Sequence, residues 1–157
     1  MPNGTLVYIE HRQGALNKTS FEALAAAQQL GEDVTAVVLG ADASRAGDVS
    51  GFKVSRVVSA ESPRLAEYTP DAYADAFEQV VRAEGPRYVF FPHTYQVRDF
   101  APKLAARFGK GLISDCIRMK AEGGSATFTR RLFQGKMDAD VRFTKGLYFY
   151  RLPSTDL

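Results

Sequence analysis

The chain has 157 residues and a net charge of +2, with acidic and basic side chains mixed along its length, so it carries no basic tract of the kind that binds nucleic acid or a membrane surface. One cysteine, Cys116, excludes an intramolecular disulfide and a cysteine-based metal site, and fits a reducing compartment. No apolar run reaches the roughly 18 to 20 residues of a membrane helix, and the first residues lack the order of a signal peptide, so a cytoplasmic chain is expected.

In chain order, TLVYIE (Thr5 to Glu10) is a continuous β-branched and aromatic run, as in a strand buried on both faces. A polar loop, HRQGALNK, follows. Thr19 and Glu22 then have the spacing of a capping box, ahead of an alanine-rich helix that stops at Gly31. VTAVVLG (Val34 to Gly40) reads as a second strand and VSRVV (Val54 to Val58) as a third, with room for a short helix between them. The clearest element comes next: Thr69 as N-cap, Pro70 at the first helical position, apolar residues at Tyr73, Phe77, Val80 and Val81, then Gly85 and Pro86 as terminators.

RYVFFP gives a fourth strand. In the helix after it, Val97, Phe100, Ala101, Leu104, Ala105 and Phe108 share one face. With Asp99 as N-cap, Pro102 would take the third helical position, where a missing N–H costs no helical hydrogen bond. GLIS (Gly111 to Ser114) is a short fifth strand. From Cys116 onward, alternation and turn residues replace the helical period and predict an antiparallel tail, in which Phe128, Leu132 and Phe133 are core or interface residues.

Strands alternating with helices predict a three-layer α/β fold, a mostly parallel sheet with helices on both faces and an antiparallel C-terminal extension. A single domain over 1–157 is expected, with an α/β core at 5–115 and the tail at 116–151. Ligands of such sheets bind outside the carboxyl ends of the strands. The crevice candidates are therefore Glu10, His11, Gly40, His93, Thr94, Arg98 and Asp99, within the turns Glu10 to Gly14, Gly40 to Ala43 and Pro92 to Asp99.

None of these turns carries a strong chemical signature. GALNKTS has Asn17 rather than glycine before Lys18, which argues against a phosphate-binding loop. His11 and His93, the only histidines, both end a strand and could share a rim, but two residues do not make a metal site. Asp115 would raise the pKa of the adjacent Cys116 thiol, so no activated nucleophile is expected. Arg98 beside a helix start suits either a bound anion or plain solvation.

In sequence, LVYIEHRQGALNKTSFEALAAAQQLG, VTAVVLG, YVFFPHTYQVRDFAPKLAARFGKGLISD and RRLFQGKMDADVRF have the order and spacing of one family. From about Thr5 to Arg151 the chain resembles the N-terminal domain of the electron-transfer flavoprotein alpha subunit. That resemblance implies an adenine-nucleotide alpha-hydrolase-like fold and a non-catalytic subunit that, with a beta subunit, carries electrons from flavin dehydrogenases to an acceptor through FAD. It implies AMP in the beta partner, a generally empty crevice in the alpha copy, and flavin contacts from a second alpha-subunit domain; the sequence ends at Leu157, where that domain would begin, so none of its FAD motifs can be carried over. A mitochondrial matrix location would follow in a eukaryote. Two readings stay open: a structural and docking domain whose FAD site lies elsewhere, or an independent adenine-nucleotide-binding module that uses the crevice. A homodimer of the isolated chain is expected about as readily as a monomer.

Overall fold

The computed structural model describes residues 4–12, 15–31, 33–42, 49, 52–114, 116–122, 125–142 and 148–152, with backbone alone at 121, 122, 125, 148 and 150–152. Its centre is a six-stranded sheet in the order β5-β4-β1-β6-β11-β7, every pairing parallel. The strands are β1 (Thr5–Ile9), β4 (Val34–Gly40), β5 (Arg56–Glu61), β6 (Tyr88–Pro92), β7 (Leu112–Ile113) and β11 (Tyr148–Leu152). Every residue of β1, β4 and β6 is buried, which is why these runs are apolar throughout and do not alternate.

Alternate residues of β1 serve opposite layers. Val7 and Ile9 pack with Ala23, Leu24 and Ala27 of α1 (Lys18–Gln29), and with Cys116, Ala126 and Phe128 of the antiparallel strands β8 (Cys116–Glu122) and β9 (Ser125–Leu132). Leu6 and Tyr8 face α2 (Pro70–Glu84) and α3 (Tyr95–Arg107), where Phe77, Phe91, Phe100, Leu104 and Phe149 complete the second layer. Each helix has about 100° or more of apolar face, enough to cover one side of a sheet. β10 (Met137–Val141) pairs with β9 in the antiparallel sheet, and β2 (His11–Arg12) with β3 (Ala15–Leu16) in a short ribbon.

The three-layer α/β fold is the one the sequence predicts, and α2 starts and stops as read: Thr69 Oγ1 accepts from Ala72 N, Pro70 is the first residue, and Gly85 closes the helix at φ 58°. Other boundaries move. The third strand begins at Arg56, two residues later than Val54, and runs to Glu61. α1 is capped by Asn17 in place of Thr19, because the Asn17 side chain accepts from Thr19 N at 3.0 Å. The loop after β1 contains the β2–β3 ribbon.

The antiparallel tail is present over β8 to β10 but does not extend to residue 151. β11 lies between β6 and β7 in the parallel sheet, where Phe149, fully buried, stacks on Phe91 at 6.4 Å. Its crossover from β7 is therefore the antiparallel sheet and not a helix. The short helix expected between the second and third strands falls largely on residues 43–48, 50 and 51, outside the described residues, as do Gln13, Gly14, Ala43 and Asp115. Among the described residues no helix is long and apolar enough to cross a membrane.

Candidate functional site

From β1 the chain steps outward through β4 to β5, then returns to the other side of β1 to form β6. Loops leaving β1 and β6 thus part in opposite directions, and the crevice between them is the switch point at which α/β sheets bind ligands. Here α1 and α3 both begin, on opposite faces of the sheet.

Glu10 is the first residue beyond β1 and is only 5% exposed. One carboxylate oxygen accepts from Thr94 Oγ1 at 2.7 Å and the other from Asn17 Nδ2 at 3.0 Å. Thr94 is the N-cap of α3, its Oγ1 accepting from Val97 N at 3.1 Å, and Asn17 is the N-cap of α1. The Glu10 backbone joins the same knot: its N–H donates to Ser20 Oγ at 2.9 Å and its carbonyl accepts from Asn17 N at 2.9 Å. A negative charge beside two helix starts interacts favourably with both macrodipoles.

Starting at His11, the residue after Glu10, a cleft of about 1170 Å³ opens whose walls include His11, Arg12, Gly40, Tyr68, Tyr95 and Asp99. His11 Nε2 donates to the Leu39 carbonyl at 2.8 Å, so that nitrogen carries the hydrogen, and the ring lies against Gly40, where an added Cβ would stand 3.3 Å from it. Tyr68 donates to Asp99 Oδ2 at 2.7 Å. Burial, then the bond to the Asp99 carboxylate, push the Tyr68 phenol well above the usual tyrosine range. Beneath it, fully buried Tyr8 donates to Gln96 Oε1, and burial raises its phenol strongly too. Tyr95 projects into the opening, 89% exposed.

A separate groove of about 810 Å³ lies on the other flank of α3, lined by His93, Arg98, Pro102, Lys110 and Ser114. The cations of α3 divide between its two sides: Lys103 and Arg107 pair with Asp71 and Asp75 of α2, whereas Arg98 faces this groove.

Sequence reasoning therefore nominates residues of two places. His11, Gly40 and Asp99 line the cleft, and Glu10 and Thr94 are bonded to each other at the ends of β1 and β6; His93 and Arg98 belong to the groove, so the two histidines share no rim. Asp99 is not the cap of α3. Thr94 is, and Asp99 sits in the second turn as the acceptor for Tyr68. Pro102 is accordingly inside the helix, on an exposed flank where water can serve the carbonyl its missing N–H leaves free. Tyr68 and Asn17 escape sequence reasoning, and Tyr95 and Gln96, inside the nominated turn Pro92 to Asp99, are given no role by it. A usable signal existed for Tyr68, which follows β5 at the same end of the sheet as the nominated turns. Among the described residues no three metal-ligating side chains gather, and Cys116 is buried with its thiol directed to the Ile113 carbonyl.

Comparison with known proteins places this geometry in context. Residues 5–149 match the electron transfer flavoprotein domain. The chain is 37% identical over 152 residues to the electron transfer flavoprotein subunit alpha of Bacillus subtilis, an overlap covering 95% of this chain and 47% of that protein. It is 33% identical over 139 residues to the subunit alpha of Syntrophomonas wolfei, covering 88% and 44%. Similarity extends to the acryloyl-CoA reductase electron transfer subunit beta of Anaerotignum propionicum, 32% identical over 118 residues, covering 72% and 32%. The chain thus spans about half the length, or less, of these relatives.

Proposed function

The chain belongs to the electron transfer flavoprotein domain family, with the N-terminal domain of the alpha subunits as its type, and on that premise we propose that it supports FAD-mediated electron transfer as a docking domain, without itself holding the flavin. The family match across residues 5–149 is the observation that carries this reading. In it, a beta subunit docks on the rigid three-layer body, AMP belongs to that partner, and the complex passes electrons from flavin dehydrogenases to an acceptor. The chain is a carrier component and not a catalyst.

FAD does not suit the crevice described above. Its pyrophosphate would seek the helix starts, where it would meet the buried Glu10 carboxylate. This supports a flavin held by another part of the complex. The reaction that FAD supplies when bound is one- and two-electron transfer; the contribution of this chain is to present a fixed surface.

A visible absorption spectrum of the purified 157-residue chain tests the proposal. The expected preparation is colourless and co-migrates with an electron transfer flavoprotein beta subunit in the presence of the flavin-bearing remainder of an alpha subunit. Stoichiometric bound flavin in the chain alone would overturn it. The second reading, an adenine-nucleotide module, is favoured by the position of the cleft at the switch point and by exposed Tyr95, which offers a face for a base.

A further inference from the structure

We infer that the Glu10 carboxylate is a built-in occupant of the anion position between the starts of α1 and α3, and that it closes the crevice to phosphate-bearing ligands. A helix start attracts an anion because its first N–H groups lack helical partners and its dipole presents positive charge. In this chain two such starts converge, and the residues capping them, Asn17 and Thr94, both turn a hydrogen-bond donor inward. Glu10 meets each donor with a separate oxygen, and it does so while 95% buried, so the charge is met by placed dipoles and not by water. A phosphate entering here would have to displace the carboxylate or lie against it, and like charges in a desolvated site repel strongly.

The inference goes beyond the docking role and is independent of it in its test: nucleotide binding by the wild-type chain would overturn it while leaving association with a beta subunit untouched. Glu10→Ala removes both charge and bulk; Glu10→Gln removes the charge and keeps the bulk. Calorimetry with AMP and inorganic phosphate should give binding at least about tenfold tighter for Glu10→Ala than for the wild type. Equal affinity for the two proteins overturns the inference.

Because Glu10→Ala leaves two caps without their partner, its thermal midpoint is a second readout that works even for a weakened fold. Phosphate, against chloride at matched ionic strength, should raise that midpoint, or restore the far-ultraviolet circular dichroism of an unfolded sample, by binding the native state. Wild type should not respond, and Glu10→Gln, which loses the repulsion but keeps the bulk, should respond less than Glu10→Ala. Absence of phosphate rescue overturns the inference. So does rescue by formate alone, which would indicate a carboxylate-sized hole and no phosphate position, and so does an equal phosphate response in Glu10→Gln.

Discussion

Tyr68 donates its phenolic hydrogen to the Asp99 carboxylate at 2.7 Å, tying the loop before α2 to the second turn of α3. The bond needs a protonated phenol, and both burial and the neighbouring carboxylate hold the proton on. Tyr8 and Tyr73 are shifted in the same direction, chiefly by burial. For each, the folded pKa lies above the unfolded value of about 10, so its stabilisation is complete below that pH and is lost as pH rises toward the folded value. Chemical denaturation should therefore show stability falling above about pH 10. In Asp99→Asn, the tyrosinate absorbance step that Tyr68→Phe removes should move to lower pH. It should stay above the ordinary tyrosine range, since burial remains.

The Thr94 hydroxyl donates to Glu10 and accepts from Val97 N, whereas the Asp99 carboxylate accepts from Tyr68 at the surface, so their alanine variants should differ. Thr94→Ala leaves Val97 N uncapped and a Glu10 oxygen without its donor, at a cost of about 2 kcal/mol in urea unfolding. Asp99→Ala should stay within about 1 kcal/mol. Thr94→Ser, which keeps the hydroxyl, should recover most of the loss. The reverse ranking would restore Asp99 as the cap of α3.

What the sequence makes legible here follows the range of the forces involved. VTAVVLG and YVFFP announce buried strands because burial on both faces demands an unbroken apolar run, and Thr69, Pro70 and Gly85 bound α2 because those caps act within four residues. The cap of α3 acts over the same range, Thr94 to Val97, but Asp99 followed by Pro102 also resembles a helix start, and the bond from Thr94 to Glu10, 84 positions away, is one that local spacing does not show. Likewise YFYRL begins inside the predicted antiparallel tail, and only long-range pairing decides that it enters the parallel sheet instead. Among the site residues, Glu10 and Thr94 can be nominated from strand ends, whereas Asn17 gains its role from a side-chain contact between elements.

Two glycines should respond differently to alanine. At Gly4 the backbone is left-handed, at φ +72°, and an added Cβ would stand 2.6 Å from the Asp33 carbonyl oxygen, which already accepts from Thr5 N. Strain and clash add, and Gly4→Ala should cost more than about 2 kcal/mol. At Gly40 the obstacle is the His11 ring at 3.3 Å, anchored to the Leu39 carbonyl, so the ring must shift at a cost of about 1 kcal/mol. Urea midpoints should rank the two, and the His11 ring signals in an NMR spectrum should move only in Gly40→Ala.

The antiparallel sheet is joined to the parallel one by an aromatic contact whose removal should be felt across the fold. Phe90 of β6 and Phe128 of β9 meet edge to face, ring centres 5.9 Å apart at 86°, and both are fully buried. Phe128→Ala should cost about 3 to 5 kcal/mol, the usual result of emptying an aromatic site in a core. Because the chain reaches β11 only by way of β8, β9 and β10, loosening that layer also loosens Phe149, which packs on Phe91 and Phe108 in the opposite layer. One cooperative transition, shifted as a whole, is therefore expected. Cys116, 2% exposed beside Phe128 in the same core, supplies an independent readout: its thiol should react faster with an alkylating reagent in Phe128→Ala than in the wild type. Phe133→Ala, at a residue 69% exposed on the far turn, should leave both stability and thiol reactivity nearly unchanged. Two separate transitions in Phe128→Ala would instead mean that the antiparallel layer unfolds alone and that β11 holds its place in the sheet without it.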